Sequence, residues 1–471
     1  MVARYLKEET DRVDVYLFAN PEELQGNAAQ NLERWQEAGG QIVSLTSPAE
    51  WEKNWPKIAA AEVIIDALLG TGIRGGATGL VALAIEGVNR LTRNATAPRP
   101  GWVVAVDTPS GLPSDGGAAE GPVIRAHLTV TFTAPKIGQL ISRDAGCCGE
   151  IFVRQIGTPE TLVEEVGKGT LRWSGPEEFA ELPLLRSWDS YKTKYGNVLL
   201  VAGSVGKSGA AILGGQAALR AGAGLLTLAI AEPIWPIVAE SQPEYMTEPL
   251  AATSAGTISA DAMNSGRFAE ILRGKTVLAM GPGLGTHAET QKFIRSVVAK
   301  VNVPLVLDAD GLNAFANHGA DLAKRTTTHL VVTPHPGEMS RLLGLSIPDV
   351  EGDRVKTAVD AARGWNACVV LKGFHTVVAS PDGRVFVNTT GTPGLAKGGS
   401  GDALTGLLAG LIGQFGTDDL LRVVALGVYL HGVAAELLTQ QSDASGILAG
   451  EVADAIPYAR RKLLEDLQTR V

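Results

Sequence analysis

A single acid, Asp402, ends a stretch in which five glycines and a proline fall within residues 388–401. The apolar run after it is long enough for a helix and apolar on all sides, which predicts a buried helix. A glycine-rich loop that leads into a helix N-terminus directs N–H groups and the positive end of the helix dipole at one point, which favours an anion. We interpret Asp402 as a general base for a hydroxyl that meets a phosphoryl group, and an ordinary helix cap is the alternative. The predicted anion-binding turn consists of Gly398, Gly399, Ser400 and Gly401.

Four further candidates follow predicted strands in the second half of the chain. Lys372 could carry positive charge to a nucleotide phosphate, or it could be a surface lysine at a strand end. His335 lies between two prolines and so cannot lie in mid-helix, which favours a ligand contact over a packed loop histidine. Asp308 and Asp310 could orient a magnesium-bound phosphate through water, or they could stabilise their own turn. His431, inside an apolar run, is expected to be only a core or cap residue.

Two glycine-rich loops resemble nucleotide-binding motifs without matching them. Residues 203–208 resemble a P-loop, but the position five residues before its Gly-Lys pair is Val201, inside a predicted strand. Residues 281–285 resemble a dinucleotide fingerprint whose third glycine comes one residue early. We interpret the second loop as one whose glycines let the backbone approach some other ligand closely.

In the first half of the chain, acids also follow predicted strands. Asp107 precedes a rigid Thr-Pro-Ser-Gly turn and could shuttle a proton or bind a hydroxyl. Oxygens around Asp66 and Ser110 could hold a hard cation. Strand-end caps are the alternative for all three residues.

Alternating strands and helices predict an α/β protein with parallel sheets, whose functional loops follow the strand C-termini. One helix is predicted over residues 21–39, and strands are predicted over residues 13–18, 61–69, 102–106, 128–132, 197–202, 276–280, 304–307, 330–333 and 367–371. A Pro-Asp-Gly turn predicts a hairpin between residues 376–379 and 384–387. We predict one domain over residues 1–160, a linker over 161–187 and a second domain over 188–471. Helix-like residues 1–9 suggest that the first domain opens in mid-helix, without its first strand and loop.

The amino-acid composition limits which classes of protein this chain can belong to. The chain has 471 residues, which favours two or more domains, and 56 glycines, which suit an α/β enzyme with tight strand-to-helix turns. A net charge of −9 argues against a nucleic-acid surface. Three cysteines do not make a disulfide framework, so we expect a reducing cytoplasm, and no signal peptide or membrane span is predicted.

Taken together and in order, these motifs resemble a known family. Five segments of the second half are similar to motifs of ADP-dependent NAD(P)H-hydrate dehydratases, which have a ribokinase-like fold. These segments are residues 221–224, 281–285, 308–313, 334–338 and 398–402, the last with the glycine-rich residues that precede it. Residues 66–72 and 107–111 resemble the NAD(P)H-hydrate epimerase domain that precedes the dehydratase in a bifunctional repair enzyme. That domain is a Rossmann-like three-layer sandwich, which we expect to be incomplete here.

The resemblance implies a metabolite-repair reaction. The dehydratase phosphorylates the hydroxyl of hydrated NAD(P)H with ADP (ATP in eukaryotic relatives), and loss of phosphate restores NAD(P)H; the phosphoryl transfer needs a divalent cation, here Mg²⁺. The implied base is Asp402, with Gly401 beside AMP; Ala211 or a neighbour, Gly283 and His335 contact the hydrate. The implied AMP loop consists of Lys372, Gly373, Phe374, His375 and Thr376. In the epimerase half the resemblance implies substrate contacts at Gly70, Thr71, Gly72 and Asp107, with Asp107 catalytic, and potassium at Asp66 and Ser110.

The epimerase half departs from the family because its Asn-Asn-Gly-Gly-Asp-Gly loop is absent, so we expect impaired epimerisation, an unpaired sheet edge and a homo-oligomer. One alternative is a ribokinase-like kinase of a small alcohol, which would give a stable phosphate ester. Another is that residues 1–160 form a non-catalytic dimerisation or ligand-binding scaffold.

Overall fold

In the computed structural model, parallel strands alternate with helices in each of two units, Met1–Val163 and Glu164–Val471, as the α/β class predicts. The structure describes residues 1–10, 12–72, 75–93, 101–167 and 170–469. The predicted linker contains regular structure. A helix and a short strand lie within or across it, and the strand joins the sheet of the second unit. The proposed domain boundaries at residues 160 and 188 stay a prediction.

The first unit contains two sheets with helices between their strands. Its elements are α1 (Val2–Glu9), β1 (Val15–Leu17), α2 (Gly26–Glu37), β2 (Ile42–Ser44), α3 (Pro48–Ala59), β3 (Val63–Asp66), α4 (Gly79–Arg93), β4 (Trp102–Val106), β5 (Leu128–Phe132), α5 (Ile137–Ile141) and β6 (Glu150–Arg154), and α6 (Glu160–Gly167) crosses into the second unit. Strands β1 and β2 form a parallel pair, and β3, β4, β5 and β6 form a parallel four-stranded sheet in that order.

Local backbone geometry shortens the helix predicted over residues 21–39. Residues Pro21–Glu23 form a 3₁₀ turn, and the α-helix begins only at Gly26. Leu24 is extended, and Gly26 has φ +58°, so the helical path is interrupted between the two turns. The apolar periodicity of the sequence continues across this break, which is why the prediction was wrong there.

Aromatic and aliphatic side chains fill the core of the first unit. Trp51, Leu45 and Ala84 are buried together, with Tyr16 of β1 and Ile64 of β3 packed against them. A second cluster, formed by Ala77, Ile85, Val88, Val103 and Ile124, joins α4 to β4. This packing fixes the ends of β3 and β4, which carry the predicted acids.

The second unit is built on one large sheet. Its strands are β7 (Leu171–Trp173), β8 (Asn197–Val201), β9 (Leu225–Ala231), β10 (Met246–Leu250), β11 (Val277–Met280), β12 (Leu305–Leu307), β13 (Leu330–Val332), β14 (Cys368–Leu371), β15 (Thr376–Ala379) and β16 (Val385–Asn388). Its further helices are α7 (Ser208–Ala221), α8 (Trp235–Ser241), α9 (Asp261–Asn264), α10 (Arg267–Leu272), α11 (Ala288–Lys300), α12 (Asp310–Asn313), α13 (Pro336–Leu343), α14 (Ile347–Gly352), α15 (Arg354–Trp365), α16 (Ser400–Phe415), α17 (Leu420–Thr439) and α18 (Ala449–Gln468).

The strand order of this sheet brings five strand ends to one edge. The order is β10-β9-β8-β11-β12-β13-β14-β15-β16-β7, and only the two pairings made by β15 are antiparallel among the described strands. The hairpin predicted around residues 381–383 is therefore confirmed. Strands β8, β11, β12, β13 and β14 are neighbours and parallel, so their C-terminal loops lie side by side, where ligands bind in open α/β sheets.

Close contact between α7 and α16 brings their N-termini to that same edge. A Cβ on Gly406 would overlap the carbonyl oxygen of Gly214, and a Cβ on Gly410 would lie 2.6 Å from the carbonyl oxygen of Ala218. Only glycine allows two helix backbones to approach this closely. The glycines that make the α16 sequence a poor helix former are thus explained by its packing.

Helix α17 is long and apolar enough to cross a membrane by length and composition alone. Of its most apolar 18-residue window, 78% is buried inside the second unit. It packs on α16 and α18, so its composition is that of a core helix.

Candidate active site

The predicted anion-binding turn forms the start of α16. Gly399 is the N-cap residue with φ +93°, and α16 begins at Ser400, so Asp402 lies in the first turn. A Cβ on Gly399 would lie 2.7 Å from Leu213 of α7, which makes glycine necessary at this position. The first N–H groups of a helix have no partner within the helix, so this turn is suited to an anion.

A cavity of about 410 Å³ opens beside this turn. Five of the predicted residues line it, namely Gly283, Asp310, Gly398, Gly399 and Asp402. Ala210 lines it as well, whereas Ala211, the predicted hydrate contact, is fully buried in α7. The sequence analysis allowed for a neighbour of Ala211 on that helix, and Ala210 is the neighbour that faces the cavity.

The environment of Asp402 keeps its proton affinity high. Burial, followed by the negative charges of Asp308 and Asp310, raises its pKa from 3.8 to about 6, and the charges of Lys372 and Lys207 act in the opposite direction. A base with a pKa near 6 is ionised at neutral pH and still binds a proton strongly enough to accept one from a hydroxyl. The geometry thus suits the predicted role of general base, which remains a prediction.

Asp308 has a different environment although it is buried at the same sheet edge. Its Oδ1 accepts hydrogen bonds from Lys372 Nζ at 2.8 Å and Thr333 Oγ1 at 2.7 Å, and its Oδ2 accepts one from Thr405 Oγ1 at 2.8 Å. Burial alone would raise the pKa of Asp308, but Lys372 and these hydrogen bonds hold it below its ordinary value. Thr405 lies one turn after Asp402 on α16, so this network ties the helix start to β12.

Lys372 is therefore neither a surface lysine nor a freely available cation. Its side chain is 21% exposed, and its Nζ lies 3.8 Å from Glu338 Oε2 as well as 2.8 Å from Asp308. Burial would lower its pKa, yet the acids Asp308 and Glu338 raise it, so the ammonium stays charged. Glu338 and Thr405 have no chemical role in the sequence analysis, because their partners are distant in sequence.

His335 is the N-cap residue of α13, a position consistent with the expectation that it does not lie in mid-helix. Its Nδ1 accepts hydrogen bonds from the N–H groups of Gly337 at 3.0 Å and Glu338 at 3.3 Å, while Glu338 Oε2 accepts one from His335 N at 2.8 Å. Burial lowers the pKa of His335, so the ring is neutral and its proton lies on Nε2. That side chain is half exposed, and its Nε2 lies 3.5 Å from Glu338 Oε1.

The predicted nucleotide loop follows β14, and the side chain of a buried arginine donates hydrogen bonds to its backbone. The Nη1 of Arg354 donates to Phe374 O, and its Nη2 donates to Leu371 O at 3.1 Å. Gly373 has φ +152°, and a Cβ there would lie 2.9 Å from Arg354 Nη2. Thr376 Oγ1 closes the loop with a hydrogen bond to Gly373 O at 3.2 Å.

An exposed aromatic pair forms the tip of that loop. Phe374 is 61% exposed and stacks on the ring of His375, with 3.9 Å between centroids. His375 has φ +54°, which turns the chain back towards β15. Exposed, stacked rings are suited to contact with a nucleobase.

Lys207 and Asp310 form an ion pair at the cavity. Lys207 Nζ lies 3.2 Å from Asp310 Oδ2, which also accepts a hydrogen bond from Gly285 N at 2.7 Å. Ala309, between the two acids, has φ +48°, a costly conformation for a residue with a Cβ, and it directs Asp308 and Asp310 to different partners. The sequence analysis missed Lys207 because it compared residues 203–208 only with a triphosphate-binding loop.

His431 is a core residue close to the site. It is buried, and burial followed by the charge of Lys372 lowers its pKa to about 4. The ring is therefore neutral at physiological pH and supplies no positive charge to a bound phosphate.

In the first unit, Asp66 and Ser110 lie together at the ends of neighbouring strands. Asp66 Oδ1 accepts a hydrogen bond from Ser110 Oγ at 2.6 Å, and Oδ2 accepts one from Ser110 N at 2.8 Å. Burial raises the pKa of Asp66, and no lysine or arginine in the described part of the chain forms an ion pair with it. A buried carboxylate of this kind is a reasonable ligand for a cation.

Asp107 is held in a separate polar cluster. It has φ +65°, its Oδ1 pairs with Lys136 Nζ, and it also accepts hydrogen bonds from Thr131 Oγ1 and Phe132 N at 3.2 Å. Its carbonyl oxygen accepts a hydrogen bond from Gln139 Nε2 at 2.6 Å. The sequence analysis missed Lys136, which gives this acid a counter-charge.

The predicted glycine loop of the first unit follows β3. Gly70, Thr71 and Gly72 are exposed there, so they are accessible to a ligand. Positions 73 and 74, within the predicted loop of residues 70–76, lie outside the described residues.

Two family models match the chain. Residues 198–458 match the family described as NAD(P)H-hydrate dehydratase, and residues 1–138 match the YjeF-related protein N-terminus. The bifunctional NAD(P)H-hydrate repair enzyme of Moorella thermoacetica is 40% identical over all of this chain and 86% of that protein. The chain belongs to this family of bifunctional NAD(P)H-hydrate repair enzymes.

Other relatives and solved structures agree with this assignment. The repair enzyme of Thermofilum pendens is 36% identical over all of this chain and 86% of that protein. A crystal structure of the ADP/ATP-dependent NAD(P)H-hydrate dehydratase of Bacillus subtilis, co-crystallised with ATP and Mg²⁺, is 32% identical, with a TM-score of 0.55 over 62% of this chain and 98% of that one. A ribokinase-like protein of Enterococcus faecalis is 26% identical, with a TM-score of 0.54 over 62% of this chain and 96% of that one. The predicted ribokinase-like fold and the predicted family are therefore confirmed.

Proposed function

We propose that the second unit dehydrates the S epimer of NAD(P)H hydrate by phosphorylating its hydroxyl with ADP and eliminating phosphate. The observation that carries this proposal is the position of Asp402, which lies in the first turn of α16, beside a cavity, with a pKa raised to about 6. Asp402 accepts the hydroxyl proton while the turn at residues 398–401 faces the phosphoryl group. His335 and Gly283 contact the hydrate in this proposal.

In this proposal the donor nucleotide binds the loop from Lys372 to Thr376. Arg354 supports the backbone of this loop, and the Phe374–His375 pair offers a surface for the base. The Bacillus subtilis relative is described as ADP/ATP-dependent, and we propose ADP as the donor here.

Mg²⁺ fits this site as a partner of the nucleotide. In the part of the chain that the structure describes, no cluster of three or more His, Cys, Asp or Glu side chains could hold a metal ion. Hydroxyls and an ammonium already engage both carboxylate oxygens of Asp308. Phosphate oxygens and water would therefore supply most ligands of the cation, which is common for Mg²⁺. When bound, it would neutralise phosphate charge.

We further propose that the first unit interconverts the R and S hydrates. Asp107 would move the proton, residues 70–72 would contact the substrate, and Asp66 with Ser110 would hold K⁺. The buried, unpaired carboxylate of Asp66 supports the cation, because it lacks a protein counter-charge among the described residues. Loss of the cation would be expected to lower the thermal stability of this unit.

We also propose a cytoplasmic homo-oligomer. Three free and buried cysteines, Cys147, Cys148 and Cys368, suit a reducing compartment. Size-exclusion chromatography with light scattering measures the oligomeric state.

The test is recovery of reduced-nicotinamide absorbance from a mixture of R and S hydrates with ADP and Mg²⁺. Recovery of about half would support a dehydratase whose epimerase unit is inactive. Complete recovery faster than spontaneous epimerisation would support both activities. A stable phosphate ester without absorbance recovery would favour the alternative, a kinase of a small alcohol, and would contradict the dehydratase proposal.

A further inference from the structure

Lys207 places an accessible ammonium in the same cavity as Asp402. It lies between β8 and α7, immediately before the first helical residue, and its side chain is 51% exposed. Asp402 and Asp310 line the same cavity of about 410 Å³.

The backbone beneath Lys207 is fixed by its neighbours. Lys207 N donates to Ser204 O at 2.8 Å, and Ser204 Oγ donates to Gly283 O at 2.7 Å. Gly203 N donates to Pro282 O at 2.8 Å, which joins the loops that follow β8 and β11. These hydrogen bonds fix the backbone of Lys207, so only its side chain has to reorient to reach a ligand.

Asp310 does not depend on Lys207 for its hydrogen bonds. Its Oδ2 accepts one from Gly285 N at 2.7 Å, and its Oδ1 accepts one from Asn313 Nδ2 at 3.3 Å. Lys207 can therefore leave Asp310 without exposing an unsatisfied carboxylate. Lys207 is 51% exposed but Asp310 only 13%, so these remaining donors must keep the Asp310 carboxylate hydrogen-bonded when the ammonium turns away.

The negative charges near the cavity explain why a phosphoryl group there needs a cationic side chain other than Lys372. A phosphoryl group that reaches Asp402 enters a region that already contains the negative charges of Asp310 and Asp308. Lys372 is committed to Asp308 and Glu338. Among the described residues that line the cavity, Lys207 is the one with an ammonium.

We propose that Lys207 exchanges Asp310 for the phosphoryl group that is transferred to the substrate hydroxyl and then leaves as phosphate. This inference rests on the proposed dehydration. In the transfer, the bond between the terminal phosphorus of ADP and its bridging oxygen breaks, a bond from phosphorus to the hydroxyl oxygen forms, and the hydroxyl proton passes to Asp402. In the elimination, the carbon–oxygen bond breaks and phosphate leaves with its electron pair, while the adjacent carbon gives a proton to water and the electron pair of that carbon–hydrogen bond forms the double bond. Lys207 neutralises the phosphoryl oxygens in both steps.

The test compares Lys207→Gln and Lys207→Arg with the matched control Lys324→Gln. Lys324 is 77% exposed and pairs with Asp321 on the surface. In the intact chain we expect Lys207→Gln to lower kcat by about 10²–10³-fold, as the loss of one transition-state charge contact does. Lys207→Arg should retain activity within about tenfold, and the control should be unchanged.

Separate measurement of kcat and KM distinguishes contact with the transferred phosphoryl group from contact with the pyrophosphate of the dinucleotide. If Lys207 instead binds the pyrophosphate bridge of the dinucleotide, Lys207→Gln will raise KM for the hydrate and leave kcat intact, and the proposal is overturned. A pH profile adds a readout that a structural role would not move. Asp402 also faces Asp308, Asp310 and Lys372, and loss of the Lys207 charge should shift the acidic limb of the profile to higher pH. An unshifted limb contradicts the proposal.

A binding measurement keeps the inference testable even if the wild-type chain does not dehydrate the hydrate. Inorganic phosphate is titrated into each variant and its Kd is measured by calorimetry. We expect at least a tenfold higher Kd for Lys207→Gln than for the wild type and the Lys324→Gln control. Equal Kd values, or no phosphate binding by the wild type, overturn the role of Lys207. Phosphate binding without dehydration instead contradicts only the proposed function.

Discussion

Replacing Asp402 with asparagine should strongly reduce activity and make the protein more stable. The pKa of Asp402 rises from 3.8 to about 6 on folding, chiefly because burial disfavours its charged form. A rise of about 2 pKa units corresponds to about 3 kcal/mol against the folded state when the carboxylate is ionised. The side chain is only partly buried, so solvent screening reduces this to about 1–3 kcal/mol. The neutral amide of the variant would carry no charge and would avoid this cost.

The sign of the effect sets its pH dependence. Below pH 3.8 the carboxyl group is protonated in both folded and unfolded chains, so wild type and Asp402→Asn should be equally stable. As pH rises from 3.8 to about 6, the unfolded chain releases its proton first, and the wild type loses stability relative to the variant. Above about pH 6 the difference should be constant.

Calorimetry of both proteins between pH 3.5 and pH 8 measures this difference as the shift of the thermal transition of the second unit. We expect the variant to unfold several degrees higher at neutral pH. The control is Asp454→Asn, which removes an exposed partner of Arg220 and should change stability by less than about 1 kcal/mol. A stability gain that persists at pH 3.5, or no gain at pH 7, would refute the electrostatic reasoning.

The activity arm of the same experiment tests the chemistry. Wild-type kcat/KM should fall about tenfold per pH unit below about 6, because only the ionised carboxylate of Asp402 in the free enzyme can accept the hydroxyl proton. Asp402→Asn should lose about 10²–10⁴-fold in kcat. A loss of less than tenfold would mean that another group is the base.

Three further substitutions test the residues that position Asp402 and the nucleotide loop. Lys372→Met should destabilise the protein by about 3–5 kcal/mol, because it leaves Asp308 buried without its cation, and adding Asp308→Asn should recover part of this loss in a thermal melt. Gly406→Ala should cost about 1–3 kcal/mol through helix overlap, whereas Gly364→Ala, in an open helical position, should gain about 0.5 kcal/mol; equal melting temperatures would contradict the close contact. Arg354→Met should raise KM for ADP more than it lowers kcat, because it releases the carbonyl oxygens of the nucleotide loop, and an unchanged KM would exclude that role.

The helix start at Asp402 could be predicted from the sequence because its signals are local. Glycines at 398, 399 and 401 and the apolar run after Asp402 lie within one short stretch. The strands predicted at residues 102–106 and 128–132 match β4 and β5, because β4 is a continuous apolar run and β5 alternates apolar residues with β-branched threonines. Strands β2, β6, β7, β9 and β10 were missed; β2 and β7 have only three residues each, which is too few to show a periodicity.

The partners of the site residues could not be predicted from the sequence in the same way. Lys372 and Asp308 are 64 residues apart, and they meet because β13 places the ends of β12 and β14 near one another. Strand order depends on packing across the whole unit, which no local pattern encodes. Lys207 and Asp310 are 103 residues apart and were separated in the sequence analysis for the same reason.

The contrast between Asp308 and Asp402 explains how one sheet edge can hold two buried acids with different roles. Asp308 has an ammonium and two hydroxyl donors, so its pKa falls below the ordinary value and it remains an anion. Asp402 faces that fixed anion from the first turn of α16 and has no such donors among the described residues, so its pKa rises to about 6. Environments that move two acids in opposite directions separate a structural charge from a proton acceptor. Removing the donors of Asp308 would therefore be expected to raise its pKa and weaken this separation.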